Sequence, residues 1–251
     1  MVPFKLRIIR EKNRIFTFLL KFLSGFSKGV EVFIFHDILE NRDMVKTPFA
    51  ISQESFEKFL LKQIEIGKRT INYAELKEII LNKKVIKHGF IITFDDCNSS
   101  VFSRAYPFLK KYHIPFILFI TVELIGKLNY LTAEQISELS KDTLCTVGSH
   151  AVHHKMFRYL TDKEAIQEFN DSKHYLQKLT GQLIDSFAFP YGRLIEVSLK
   201  SVHLLSKVDF NFAFSAIPGN LNQKWFTGNY FLPRVNVSED FVDSLLNKYD
   251  G

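Results

Sequence analysis

Gly89-Phe90-Ile91-Ile92-Thr93-Phe94-Asp95-Asp96-Cys97-Asn98 is the stretch that decides the fold. An apolar run stops on two adjacent carboxylates. Apolar on both faces, it reads as a strand buried on both sides, as in a parallel sheet covered by helices. In such sheets the chemistry sits just beyond the carboxyl ends of the strands. Neighbouring side chains at a strand end diverge, so Asp95 and Asp96 can take different tasks, one holding a metal and the other handling a proton. An Asp-Asp turn or a helix cap would use the same residues.

A second stretch has the same form. Leu144-Cys145-Thr146-Val147-Gly148-Ser149-His150-Ala151-Val152-His153-His154 is a short apolar run ending in metal-capable side chains, with three of the chain's eight histidines in five positions. Two imidazoles four apart on one helical turn, with a carboxylate from another strand, make a facial three-ligand site for a divalent metal with open positions. His153 competes with His154 as the partner of His150. A solvated histidine cluster at a helix start is the plainer reading.

Working outward, strands are predicted over 30–35, 69–72, 115–121, 143–149, 186–189, 211–215 and 231–237. Helices are predicted over 53–66, 73–81, 99–113, 132–140, 162–180, 194–208 and 239–248, with 218–230 a loop. Ser52 and Thr132 stand at helix starts and Gly181 at a helix end. The first strand ends at His36-Asp37, again an apolar run delivering polar chemistry. Strands alternating with helices imply right-handed crossovers and a parallel sheet. At 251 residues that means one domain and a closed or nearly closed barrel.

Three motifs now stand in order: Thr93-Phe94-Asp95-Asp96, Ser149-His150-x-x-x-His154, and Phe187-Ala188-Phe189-Pro190-Tyr191-Gly192. Together they resemble those of the polysaccharide deacetylases, carbohydrate esterase family four, from about Val32 to about Val237. The resemblance implies a distorted seven-stranded (β/α) barrel. It implies a metal-dependent hydrolase that removes N-acetyl groups from amino sugars of a polysaccharide or glycan precursor. Asp96, His150 and His154 would bind a divalent metal, most often zinc, and Asp95 would be the general base for the attacking water. The backbone N–H of Tyr191 would stabilise the oxyanion, with Pro190 stiffening its loop.

The chain departs from the family pattern in three places. Ala188 stands where an arginine usually keeps the base ionised, and Arg234 in Leu232-Pro233-Arg234 is the best substitute. No histidine follows His203, so the usual C-terminal general acid is missing. Phe35-His36-Asp37 resembles a rearranged version in which His36 is the acid, with Asp37 to orient it. Cys97 replaces the usual glycine, so the turn there is expected to keep φ negative. Trp225, Phe226 and Tyr230 would stack on a sugar ring or form a lid. The rival functions are an O-deacetylase or non-sugar amidase on the same metal site, and a glycan-binding module with a dead site.

Composition adds limits. The apolar fraction is 46%, ample for a core, and most of the 26 phenylalanines belong there. Two cysteines give no disulfide framework, and a reducing, cytoplasmic setting is the simpler reading. Net charge is +6, with Lys5, Arg7, Arg10, Lys12, Arg14, Lys21 and Lys28 ahead of the first strand. Residues 1–29 therefore read as a basic amphipathic segment before a catalytic domain over 30–251. That segment either packs on the domain, the favoured reading, or makes peripheral contact with an acidic membrane surface. No nucleic-acid motif accompanies it, so no nucleic-acid partner is expected. No apolar stretch is long enough to span a bilayer.

Overall fold

A computed structural model describes residues 29–222 and 228–249. Strand β5 (His88–Phe94) pairs in parallel with β1 (Gly29–Phe35) along its whole length, from Gly29↔His88 to Phe35↔Phe94. Successive side chains of a strand point to opposite faces. Phe90, Ile92 and Phe94 thus share a face with Phe33 and Phe35 and pack in the large cluster beneath the helices. Ile91 shares the other face with Val32, in an inner cluster with Ile117, Phe119, Phe212 and Phe214. Thr93 and then Asp95 follow Ile91 on that face, so alternation alone carries the Asp95 carboxylate into the barrel.

The curled sheet runs β10 (Val235–Asn236), β1, β5, β6 (Phe116–Ile120), β7 (Cys145–Ser149), β8 (Ser186–Ala188), β9 (Phe212–Phe214), every pair parallel. A two-residue strand, β4 (Arg69–Thr70), adds beside the start of β5. Leu232 draws the ring together: it bridges Phe214 of β9, and three residues later Val235 pairs with Phe33 of β1. This is the distorted seven-stranded (β/α) barrel expected from the sequence. Because its strands are parallel, the segments after β1, β5, β7 and β8 all emerge at one rim.

Helices Gln53–Glu65, Tyr73–Leu81, Ala133–Lys141, Asp162–Thr180 and Glu239–Tyr249 lie close to their predicted positions. Thr132 and Thr161 close capping boxes, and Gly181 ends its helix at φ 69°. Elsewhere the structure differs. Residues 99–113 are not one α-helix but a π-helical stretch, Val101–Ala105, leading into Tyr106–Lys111. Pro107 has no N–H for the helical ladder and its ring crowds the carbonyl four residues back. The helix predicted over 194–208 shrinks to Leu199–Leu205, capped by Ser198, because Arg193–Val197 is a turn closed on the Arg193 carbonyl. The last strand is only Val235–Asn236, since Pro233 cannot donate to a ladder. A two-stranded parallel ribbon, β2 (Asp37–Leu39) with β3 (Ala50–Ser52), is too short to leave a sequence pattern.

No helix among the described residues is long and apolar enough to cross a membrane. The basic segment expected over 1–29 lies outside the described residues except for Gly29, which opens β1, and Trp225 and Phe226 also lie outside them.

Candidate active site and metal centre

The inward turn of Asp95 meets a cation. Arg234 is fully buried and its guanidinium holds Asp95 with two parallel bonds, Nη1 to Oδ1 and Nη2 to Oδ2, both 2.8 Å. The same guanidinium donates to Thr93 Oγ1 at 3.1 Å and to the Ser215 carbonyl at 2.9 Å, and lies over the rings of Phe119 and Phe214. Burial alone would raise the Asp95 pKa, but Arg234 and the nearby His150 and His36 outweigh it and hold the carboxyl below its ordinary value. Ala188, at the position that lacks the usual arginine, lies in the same inner cluster.

Asp96 converges with Asp95 on His150, whose Nε2 lies 3.8 Å from Asp95 Oδ2 and 3.5 Å from Asp96 Oδ1. The chain turns left-handed here, with φ 72° at Asp96 and 74° at Cys97. The expectation of a negative φ at Cys97 is thus overturned. Its carbonyl accepts the Leu131 N–H at 2.9 Å and the Asn129 carbonyl accepts the Ser99 N–H at 2.9 Å, the two bonds of an antiparallel bridge between Asn98 and Tyr130 that ties the turn to the chain beside it. The Cys97 thiol is buried and its pKa is pushed up, which leaves it inert as a nucleophile. Cys97 and Cys145 are both free.

Asp96 Oδ1 is buried and has no hydrogen-bond partner among the described residues. It lies 3.5 Å from His150 Nε2 and 3.2 Å from His154 Nε2, and one ligand atom from each of the three residues falls within 4.8 Å of the others. Ligands ~2.1 Å from one zinc at tetrahedral angles would stand ~3.4 Å apart. An orphaned carboxylate oxygen facing two imidazole nitrogens at that spacing fits a divalent cation. His150 is prepared for it: Nδ1 meets the Ala188 carbonyl at 2.7 Å, and since a carbonyl only accepts, the proton sits on Nδ1 and Nε2 offers its lone pair. Burial pushes the His150 pKa down to about 4, so the ring is neutral near pH 7. For His154, burial pushes down too, but Asp96 prevails and the pKa is raised. Asp96 itself is held well below the carboxylate range, burial being outweighed by His154, His150 and His36.

The two histidines do not lie on a helical turn, as their spacing had implied. Residues 150–154 form a loop with Ala151 at φ 68° and His154 at φ 48°, hands that no right-handed helix contains. His153 points away from the cluster, its Nδ1 2.6 Å from Glu168 Oε1. No sequence motif marks Glu168. Its only signal is an acidic residue at a buried phase of the helix Asp162–Thr180.

His36 follows β1 at the same rim, close enough to lower the pKa of both aspartates. Its ring stands edge-on to Phe49, centroids 5.2 Å apart, and its Nδ1 is buried with no hydrogen-bond partner among the described residues. Asp37 does not orient it through a hydrogen bond: the Asp37 carboxylate accepts from Ser100 Oγ at 2.6 Å. Tyr191 sits at φ 62° in a three-residue turn closed by Gly192 N–H to the Pro190 carbonyl at 2.7 Å. A Cβ on Gly192 would stand 2.5 Å from the Ala216 nitrogen, so only glycine fits. The Tyr191 ring, partly exposed, lies 4.8 Å from that of His154.

The family model for polysaccharide deacetylase matches residues 82–212. The chain belongs to the polysaccharide deacetylase family. Among curated proteins, the poly-β-1,6-N-acetyl-D-glucosamine N-deacetylase of Staphylococcus aureus is 28% identical over 223 residues, covering 81% of this chain and 73% of the relative. The Staphylococcus epidermidis enzyme of the same name is 29% identical over 200 residues, 71% of this chain and 66% of the relative. Among solved structures, IcaB from Ammonifex degensii superposes with a TM-score of 0.74 at 22% identity, covering 89% of this chain and 98% of that one. The Streptococcus pyogenes deacetylase PplD in complex with acetate gives 0.74 at 21% identity, covering 88% and 98%. These last two likenesses establish a shared polysaccharide deacetylase fold.

Proposed function

We propose that this deacetylase removes acetyl from N-acetylglucosamine units of a β-1,6-linked glycan, the substrate class named for its staphylococcal relatives. One observation carries the reading: two adjacent carboxylates are used differently, Asp95 clamped ionised by Arg234 and Asp96 left with an unpartnered oxygen facing His150 and His154. Asp96, His150 and His154 would hold a divalent cation, zinc by the nitrogen and oxygen character of the set. Such a cation would polarise the acetyl carbonyl and acidify water.

The remaining tasks fall to the chain. Asp95, ionised near pH 7, accepts a proton from the attacking water. The Tyr191 N–H, turned by the Pro190–Gly192 turn, donates to the oxyanion. His36, with a free ring nitrogen at the rim, protonates the departing amine. The test is acetate release from β-1,6-linked N-acetylglucosamine oligomers, from β-1,4-linked ones and from O-acetylated sugars, before and after chelation. Chelator-sensitive release from the β-1,6 oligomers is expected. No release from any N-acetylated oligomer overturns the reading, and release from O-acetyl sugars alone makes the protein an esterase.

A further inference from the structure

The loop that carries both histidines is strained at two of its five residues and makes few bonds within itself, so something outside it must hold it. Ala151 and His154 are both left-handed. Glu168, buried on the helix Asp162–Thr180, meets the loop end-on. Its Oε2 accepts the backbone N–H of Val152 at 2.8 Å and of His153 at 3.0 Å, and its Oε1 meets His153 Nδ1 at 2.6 Å. One turn along the same helix face, Ser172 Oγ lies 2.7 Å from Ser149 Oγ, which in turn accepts the Ala151 N–H at 3.2 Å. The helix therefore holds the loop's N–H groups, while on the other side the His150, Ala151 and Val152 carbonyls accept from Thr121 Oγ1 at 3.3 Å, Val122 N–H at 3.1 Å and Glu123 N–H at 3.0 Å. Lys155 reaches the outer edge of the Glu168 carboxylate, at 4.0 Å.

We propose that Glu168 is a positioning residue: by gathering the Val152 and His153 N–H groups it fixes the loop in the one conformation that turns His154 Nε2 back onto Asp96. The inference rests on the metal reading of Asp96, His150 and His154. A carboxylate taking two consecutive N–H groups sets the direction of the peptide between them, and the next residue is His154. The His153 side chain adds a third bond but is not itself needed, since the two backbone bonds survive without it. Partners of this kind, one step removed from a ligand, typically change metal affinity about 10–100-fold when lost.

The experiment measures zinc affinity by competition with a chelating dye for the full chain and for Glu168→Ala, Glu168→Gln and His153→Ala, with amide hydrogen exchange at residues 152 and 153 on the metal-free proteins. Glu168→Ala should weaken zinc about 10–100-fold and expose both amides to exchange. Glu168→Gln keeps a carbonyl oxygen for the N–H groups and should restore most of the affinity, a rescue that loss of helix packing would not give. His153→Ala should stay within about threefold of the native chain. If Glu168→Ala folds and binds zinc like the native chain, or if Glu168→Gln is as weak as Glu168→Ala, the inference is wrong. Should Glu168→Ala not fold, the Glu168→Gln and His153→Ala pair still decides: either one weakening zinc tenfold or more overturns the proposal. A native chain that binds no divalent metal instead overturns the metal reading beneath it, while the exchange data still report whether Glu168 holds the loop.

Discussion

Arg234→Met, made in the metal-free protein, isolates what the buried cation does. The native guanidinium has zero exposure and gives Asp95 two bonds of 2.8 Å inside an apolar cluster. Methionine fills similar space but leaves Asp95 charged, buried and unpaired. Removing one partner of such a pair costs about 3–5 kcal/mol, most of it the stranded charge. For a chain of this size that is a fall in Tm of roughly 6–20 °C. The sign of the pH dependence follows from the lowered Asp95 pKa. In the native protein the pair's stabilisation is present above the unfolded pKa of about 3.9 and is lost as pH falls through the lower folded value. In the variant, burial acts unopposed by Arg234 and favours the protonated acid. The stability gap between the two, read from urea melts, should be widest at pH 7 and narrow towards pH 4. Adding Asp95→Asn to Arg234→Met removes the stranded charge and should recover roughly half the loss or more. A cost under about 1 kcal/mol, or a double variant no more stable than the single one, would refute the reasoning.

Three further outcomes are expected at the rim. His154→Ala should strip most of the divalent metal measured by elemental analysis while His153→Ala retains it; the reverse pattern would exchange their roles. Asp95→Asn should keep metal and lose turnover by about 10²–10⁴-fold, the usual scale of general acid–base assistance, and a near-normal acetate-release rate would end the claim that Asp95 is the base. His36→Ala should lower kcat with little change in KM or metal content, the mark of an interaction made only in the transition state, and a change confined to KM would remove His36 from proton transfer.

The legible part of this protein is what strand parity and residue type determine. A buried parallel strand must end at the rim, so the place of Asp95 and Asp96 is legible; their divergence is not borne out, because the left-handed turn at Asp96 brings both carboxylates to His150 Nε2, at 3.8 and 3.5 Å. Arg234 was readable as a replacement cation because it stands beside another strand, though nothing in Leu232-Pro233-Arg234 foretold its complete burial or its paired bonds to Asp95. That His150 and His154 meet Asp96 was readable from residue type, but their backbone was not: a four-residue spacing fits a helical turn, and the structure makes a loop. Glu168 carries little readable signal because two of its three bonds are to backbone N–H groups, which every residue but proline carries, and the third, to His153, joins residues 15 apart with no motif between them.

Left-handed residues gather around this site: Asp96, Cys97, Ala151, His154 and Tyr191 all have φ between 48° and 74°. Each costs about 1–2 kcal/mol relative to ordinary backbone. A strand sends consecutive side chains to opposite faces, and a right-handed turn would carry them onward around a helix. A left-handed residue instead reverses the chain within one or two positions. Here that brings Asp96 Oδ1 within 3.2 Å of His154 Nε2 and 3.5 Å of His150 Nε2, while Asp95, one residue earlier, is bonded to Arg234 and stands 3.8 Å from the same His150 nitrogen. The strain persists only where something outside the turn holds it, and such holders are present: Leu131 on Cys97, Glu168 on the peptides beside His154, and the Ala216 N–H on the Gly192 carbonyl next to Tyr191. Cys97 shows the consequence most plainly. With a side chain where glycine would be free of strain, the turn keeps its hand because Leu131 and Tyr130 are anchored to its backbone, so the position tolerates a Cβ that the isolated turn would disfavour.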